Sequence, residues 1–221
     1  MVPGHGVFID GKWDVAHWLR RFVPDIEEQI RVAIKEYASS EDALIVFSGG
    51  QTHQEVGRVS EAESYIDAAK AMGFKPDPKI ILAEDFARDS FENVLFSLCR
   101  FRQVTGTYPD KYVVLGFGFK QERFVNEHRR AIRFPLERFE YREIPERTLE
   151  TEEQVNLERK GTIPQFRADP YGCKPPLSTK KIERNPFHQV HSYESACPEM
   201  AGLFRACGSQ VYKGPLPWDN N

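Results

Sequence analysis

Short apolar runs alternate with amphipathic stretches over the first two thirds of the chain. The runs at residues 1–3, Ala43–Phe47, Lys79–Ala83 and Tyr112–Gly116 each have the length of one strand. Their unbroken apolar character suits strands covered on both faces. Phe139-Glu140-Tyr141 is expected to add a fifth, edge strand. Between the runs, Ile26, Ile30, Ala33, Ile34 and Tyr37 recur at helical spacing, so Pro24–Tyr37 is expected to be a helix with proline at its start. Further helices are expected over Ser60–Met72, Asp89–Arg102 and Lys120–Arg133, and Gly73 supplies a stop signal. Strands and helices in this order imply an α/β fold: a mainly parallel sheet with right-handed crossovers and helices on both faces.

The pattern changes after about residue 142. Glu146–Arg159 is charged and fits a solvated helix. Thr162–Pro186 is rich in proline and basic residues and has little periodicity. Phe166, Tyr171, Phe187, Tyr193, Leu203, Phe204, Tyr212 and Trp218 give this tail many apolar anchors, so residues 143–221 are expected to wrap over a core formed by residues 1–142. A small helix is expected near Glu199–Ala206.

Composition adds exclusions. The chain has 221 residues, 40% of them hydrophobic and 29% charged, with a net charge of -3. That balance suggests no general grip on nucleic acid or acidic lipid. No apolar stretch is long enough to cross a bilayer, and residues 1–7 lack a signal-peptide layout, so a soluble cytoplasmic protein is expected. Of four cysteines, Cys99 falls among apolar helix positions and fits a reduced core thiol. Cys173, Cys197 and Cys207 lie near His188 and His191, but their spacing matches no standard zinc pattern, and no metal site is expected.

The candidate chemistry lies where the expected strands end, which is where open α/β sheets bind ligands. Gly4 and His5 follow the first strand, and Ser48-Gly49-Gly50-Gln51 the second. Glycines there let the backbone turn and a ligand approach. Neither a P-loop nor a dinucleotide fingerprint is present. Ser60 with Glu63 fits a capping box, which leaves Glu61 unexplained in the first helical turn. Asp89 with Glu92 fits another, which leaves Glu84, Arg88 and Asn93, with Ser90 as an alternative cap. Arg88 beside a helix start suits an anion. Gly116 to Lys120 forms a tight loop whose two phenylalanines either stack on a flat ligand or plug the core. His128 shares a helical face with Phe124, Ala131 and Ile132; it is either a hydrogen-bonded core residue or a crevice acid–base group beside Arg123.

The joint order of these motifs resembles the YdcF/SanA/ElyC-like family of unknown function. The matching residues are Ser48-Gly49-Gly50, Ser60-Glu61-Ala62, Glu84 followed by Ser90-Phe91-Glu92-Asn93, and His128-Arg129-Arg130-Ala131. The Val2-Pro3-Gly4-His5 start and Phe86-Ala87-Arg88-Asp89 look closest to a fungal-type branch. The resemblance implies a Rossmann-like three-layer sandwich, and one bacterial member is reported to bind S-adenosylmethionine. Many bacterial members carry membrane anchors, whereas this chain shows none.

The expectation is an enzyme, a hydrolase or transferase, acting on a small anionic or nucleotide-like metabolite. His5, Glu61, Glu84 and His128 are the candidates for proton transfer. Gly4, Ser48, Gly49, Gly50, Gln51, Arg88, Ser90, Asn93, Gly116, Lys120 and Arg123 are the candidates for ligand contact. The alternatives are a cofactor-binding module without turnover, with S-adenosylmethionine as a possible cofactor, and a scaffold that offers its aromatic tail to a partner.

Overall fold

The computed structural model describes residues 1–144 and 152–219. Its strands are β1 (Val2–Pro3), β2 (Val7–Ile9), β3 (Lys12–Asp14), β4 (Ile45–Ser48), β5 (Ile81–Glu84), β6 (Tyr112–Gly116) and β7 (Phe139–Glu143). β1, β4 and β5 form a parallel sheet in the order β1-β4-β5, with Phe47 opposite Ala83 and Ser48 opposite Glu84. β6 and β7 form a separate parallel pair, with Tyr112 opposite Phe139. The fold is therefore mixed α/β and largely parallel, but not one continuous ladder of five strands. β1 is two residues long, and its paired residues, Val2 and Pro3, lie opposite Phe47 and Ser48 of β4. The chain start still spans the gap, because the Met1 amine donates to the Val113 carbonyl (2.7 Å) and the Leu115 N–H donates to the Met1 carbonyl (3.0 Å).

β2 and β3 form an antiparallel hairpin that the apolar pattern did not predict. Its turn is Asp10-Gly11, both with positive φ (49° and 78°), as two-residue hairpin turns require. Trp13 of the hairpin meets Tyr65 edge-on at 5.2 Å.

Helices α1 (Val23–Tyr37), α2 (Glu61–Ala71) and α3 (Ser90–Thr105) fall close to the expected spans. α1 and α2 pack with Ile45, Phe47, Ile81 and Leu115 in one hydrophobic cluster. α3 packs with Tyr112, Val114 and Phe124 in a second. The neighbours Val114 and Leu115 thus serve opposite clusters, as alternation along a strand demands.

The expected helix over Lys120–Arg133 is not one α-helix. It is a 3-10 turn (Gly118–Lys120), a π-helical run (Arg123–His128) and a short α4 (Arg129–Ala131). Residues five apart lie about 140° apart on an α-helix but share a face of a π turn. That geometry lets Arg123 and His128 reach the same atom, Ser90 Oγ.

The tail is more helical than its composition suggested. It contains α5 (Glu152–Leu157), a π-helical run (Glu158–Thr162), α6 (Ile163–Ala168), α7 (Leu177–Glu183), α8 (Tyr193–Ala196) and α9 (Ala201–Phe204). Thr162–Pro186 is thus partly helical, because Ile163, Phe166 and Leu177 are anchored in apolar surroundings. The start of the expected Glu146–Arg159 helix lies outside the described residues. Its described part is not simply solvated, since Gln154 and Glu158 are buried. Phe166, Tyr171, Leu177, Tyr193, Cys197, Met200, Leu203 and Trp218 join the same cluster as α3. Cys173 and Cys207 form a disulfide across 34 residues, so a zinc site using them is not what this tail holds. Cys99 and Cys197 are free and buried.

Candidate functional site

The carboxyl ends of β1, β4, β5 and β6 open onto a cavity of about 480 Å³, within the range of small-molecule sites. Four loops supply one side of it: Pro3-Gly4-His5, Thr52-His53, Ala87–Ser90 and Phe119-Lys120. The tail supplies the other, through Gln154, Leu157, Glu158, Thr162, Phe166, Leu177, Lys180 and Arg184.

Local structure explains how each loop presents its groups. Ser60 caps α2 by accepting from the Glu63 N–H (2.9 Å), and this places Glu61 on the first turn. The Glu61 carboxylate accepts from Thr52 Oγ1 (3.0 Å) and lies 3.6 Å from His53 Nε2. A Cβ at Gly4 or Gly49 would strike the Glu61 side chain, so glycine at both positions makes room for it. Hydrogen bonding to Glu61 raises the His53 pKa to about 9, so this imidazole is cationic at neutral pH.

Asp89 caps α3 by accepting from the Glu92 N–H (2.8 Å). Glu92 turns the other way and takes Arg88 through Nε (2.9 Å) and a terminal nitrogen (2.6 Å). Arg88 borders the cavity, but its guanidinium is committed to that carboxylate. Arg88 is thus at the cavity, as expected of a ligand contact, with Glu92 as its present partner.

The cationic wall is built elsewhere. Lys120 is 9% exposed, and its ammonium lies 3.2 Å from His5 Nδ1 and over the rings of Phe117 and Phe119 (5.1 and 5.4 Å). Among the described residues no carboxylate lies in ion-pair contact with it. Burial, together with the nearby Arg123 charge, pushes its pKa down to about 7. Burial, then Lys120, Arg123 and Arg184, push His5 well below the usual imidazole range, so His5 is neutral. Arg123 donates to Ser90 Oγ (2.6 Å) and pairs with Glu158 (2.6 Å). Lys180 and Arg184 reach the cavity from α7 and its end.

Other expected site residues sit beneath the floor. Glu84 is fully buried and does not line the cavity. It accepts from Ser48 Oγ (2.6 Å), the Phe86 N–H (2.9 Å) and Tyr193 OH (3.3 Å). Asn93 borders the cavity and donates to Ser48 O and Oγ (2.8 and 2.9 Å), which links the floor to that network. Burial raises the Glu84 pKa to about 8, so it is mostly protonated at neutral pH. His128 is also fully buried, with Nε2 2.7 Å from Ser90 Oγ and its ring among Phe91, Phe124 and Phe166. It reaches the cavity only through Ser90. Gly49, Gly50 and Gln51 form the turn behind Glu61; Gly50 N–H donates to Ala87 O (2.8 Å), and Gln51 is used on the Arg58 carbonyl. Gly116 backs onto Tyr141.

The structure therefore gathers Gly4, His5, Glu61, Arg88, Ser90, Asn93, Lys120 and Arg123 around one cavity, and leaves Ser48, Gly49, Gly50, Gln51, Glu84, Gly116 and His128 behind its wall. The two loop phenylalanines divide: Phe117 is core and Phe119 lines the cavity. Thr52, His53, Glu158, Lys180 and Arg184 escaped the sequence reading. Thr52 and His53 directly follow a motif already singled out; Glu158 lies in the charged stretch read as a solvated helix, and Lys180 and Arg184 lie in the stretch with little periodicity.

Over 197 residues the chain is 29% identical to the "Uncharacterized protein YOR238W" of Saccharomyces cerevisiae; the match covers 68% of this chain. It spans 65% of that relative's length. No family model matches the chain, and no solved structure matches it.

Proposed function

We propose that the chain is an enzyme acting on a small anionic or nucleotide-like metabolite held in this cavity. The fold behind the proposal is Rossmann-like. β7-β6-β1-β4-β5 would act as one sheet joined through Met1, in a fungal-type branch of YdcF-like proteins. The observation that carries the reading is the charge balance of the cavity wall. Lys120, Arg123, Lys180 and Arg184 converge there, and Glu158 is the carboxylate in contact with that group. Cations crowded this way lower one another's proton affinity, and Arg123 and Arg184 both depress Lys120. A bound anion relieves that repulsion.

Glu61, with Thr52 and His53, lines the same cavity. A carboxylate there accepts hydroxyl or amine donors, so the cavity suits a ligand with an anionic end and a hydroxylated or amino end. His5 and Glu61 are the expected proton-transfer groups that line the cavity. A second reading, a binding module without turnover, draws support from the placement of Glu84 and His128 beneath the floor.

Native mass spectrometry of protein purified without added ligand, compared with the denatured mass, tests the first step. A retained anionic small molecule is expected. Arg123→Ala should weaken binding of that molecule, or of ADP as a probe, by about tenfold or more, since a lost charge-assisted contact costs ~1.5–3 kcal/mol. An unchanged affinity in that variant overturns the reading.

A further inference from the structure

We infer that Lys120 is an amine nucleophile that captures the carbonyl group of a small anionic aldehyde or ketone as an imine, with His5 as its proton partner. This rests on the cavity reading above and deepens it by naming a substrate class.

Four features place the amine for that chemistry. First, Lys120 ends the 3-10 turn after β6 and is among the residues that line the cavity. Second, none of the described carboxylates holds it as an ion pair. A lysine kept only for structure would ordinarily be paired or exposed. Third, its contacts are a neutral imidazole nitrogen and two aromatic faces, a setting that excludes water from the amine. Fourth, Arg123, Lys180 and Arg184 line the same cavity and offer the substrate's anionic end cationic contacts.

The charged groups that act on Lys120 are Arg123 and Arg184, which favour the free amine, and Glu158 and Glu61, which oppose them. Burial and the cations prevail, so a large fraction of the amine is unprotonated near neutral pH.

The step balances without an added oxidant or reductant. The Lys120 nitrogen lone pair attacks the carbonyl carbon and the C=O π pair moves to oxygen. His5 Nδ1 takes one proton from the nitrogen and passes it to the oxygen, which gives the carbinolamine; it then relays the second nitrogen proton to the hydroxyl as the nitrogen lone pair expels it. Water leaves and the C=N bond forms. Among the described residues His5 Nε2 has no hydrogen-bond partner, which leaves the ring free to serve this exchange.

The test uses pyridoxal 5′-phosphate, an aldehyde carrying a phosphate, with borohydride to reduce any imine, followed by peptide mass spectrometry. One dominant adduct on Lys120 is expected, with labelling half-maximal near pH 7 and slowed by inorganic phosphate. Lys120→Arg keeps the charge but cannot form the imine, and should lose labelling at that position while still responding to phosphate. Lys120→Met should fold at least as well as the parent, since it removes a buried amine that has no ion-pair partner among the described residues, but should bind phosphate about tenfold or more weakly. Labelling spread over other lysines, with Lys120 unmodified, overturns the inference. If phosphate still raises the melting temperature in that case, the anionic cavity survives and only the nucleophile falls. If phosphate neither binds nor protects, the cavity reading itself fails.

Discussion

At the scale of single residues, the buried carboxyl of Glu84 sets a pH dependence that can be worked out in sign. Its folded pKa, about 8, lies above the ordinary carboxyl value, so the folded chain holds a proton that the unfolded chain releases. Stability from this group is complete below about pH 4 and is lost as pH rises toward and through about 8. The loss is on the order of 3–5 kcal/mol. Glu84→Gln mimics the protonated form, and its melting temperature should fall much less than the parent's between pH 5 and 8.5. Equal slopes for the two proteins would show that Glu84 is not protonated in the fold. The sequence marked Glu84 as a site residue because it ends a strand, and it does end one. Whether a strand-end carboxyl faces the ligand or the floor depends on Ser48, Asn93 and Tyr193, and nothing local to Glu84 announces those contacts.

At the scale of elements, the helix starts were legible because capping is chemistry between near neighbours. Ser60 and Asp89 both cap as their spacing suggested. Ser60 also donates to Asp85 Oδ1 (2.5 Å) and so ties the start of α2 to the loop after β5. Ser60→Ala should cost about 1–2 kcal/mol in denaturant unfolding, toward the upper end for a cap because two partners are lost. A cost below about 0.3 kcal/mol would mean that the cap is dispensable. The hairpin was legible too, in Asp10-Gly11 between Val7-Phe8-Ile9 and Lys12-Trp13, and was missed because the reading followed long apolar runs. The π-helical runs were not legible. Both place a cavity residue, Arg123 in one and Glu158 in the other, and these two pair with each other. A π turn has no distinct residue preference to read; long-range contacts such as the one from Arg123 to Ser90 accompany it here.

At the scale of the whole molecule, the tail cannot be separated from the rest on energetic grounds. Burying one large apolar side chain is worth about 1.5–3 kcal/mol. Phe166, Tyr171, Leu177, Tyr193, Leu203 and Trp218 all pack in the cluster of α3. Their summed contribution rivals the entire stability of an ordinary domain, about 5–15 kcal/mol. A chain cut before Thr162 should therefore lose its cooperative thermal transition and bind a hydrophobic dye. A truncated chain with an intact transition would mean that the sheet-bearing part stands alone. Composition showed the anchors but not their destinations, because a stretch without periodicity gives no indication of which face it will cover.

The tail forms one wall of the cavity, so under the proposed function ligand choice would be shared between two regions of the sequence that can change independently. Replacing the carboxy-terminal third with that of another homologue would keep the strand-end loops and reshape the opposite side. Lys180 and Arg184 would be exchanged together with Glu158, the counter-charge that faces Arg123. If the cavity binds as proposed, such grafts, more than point changes in the sheet, should retune the scaffold from one small molecule to the next.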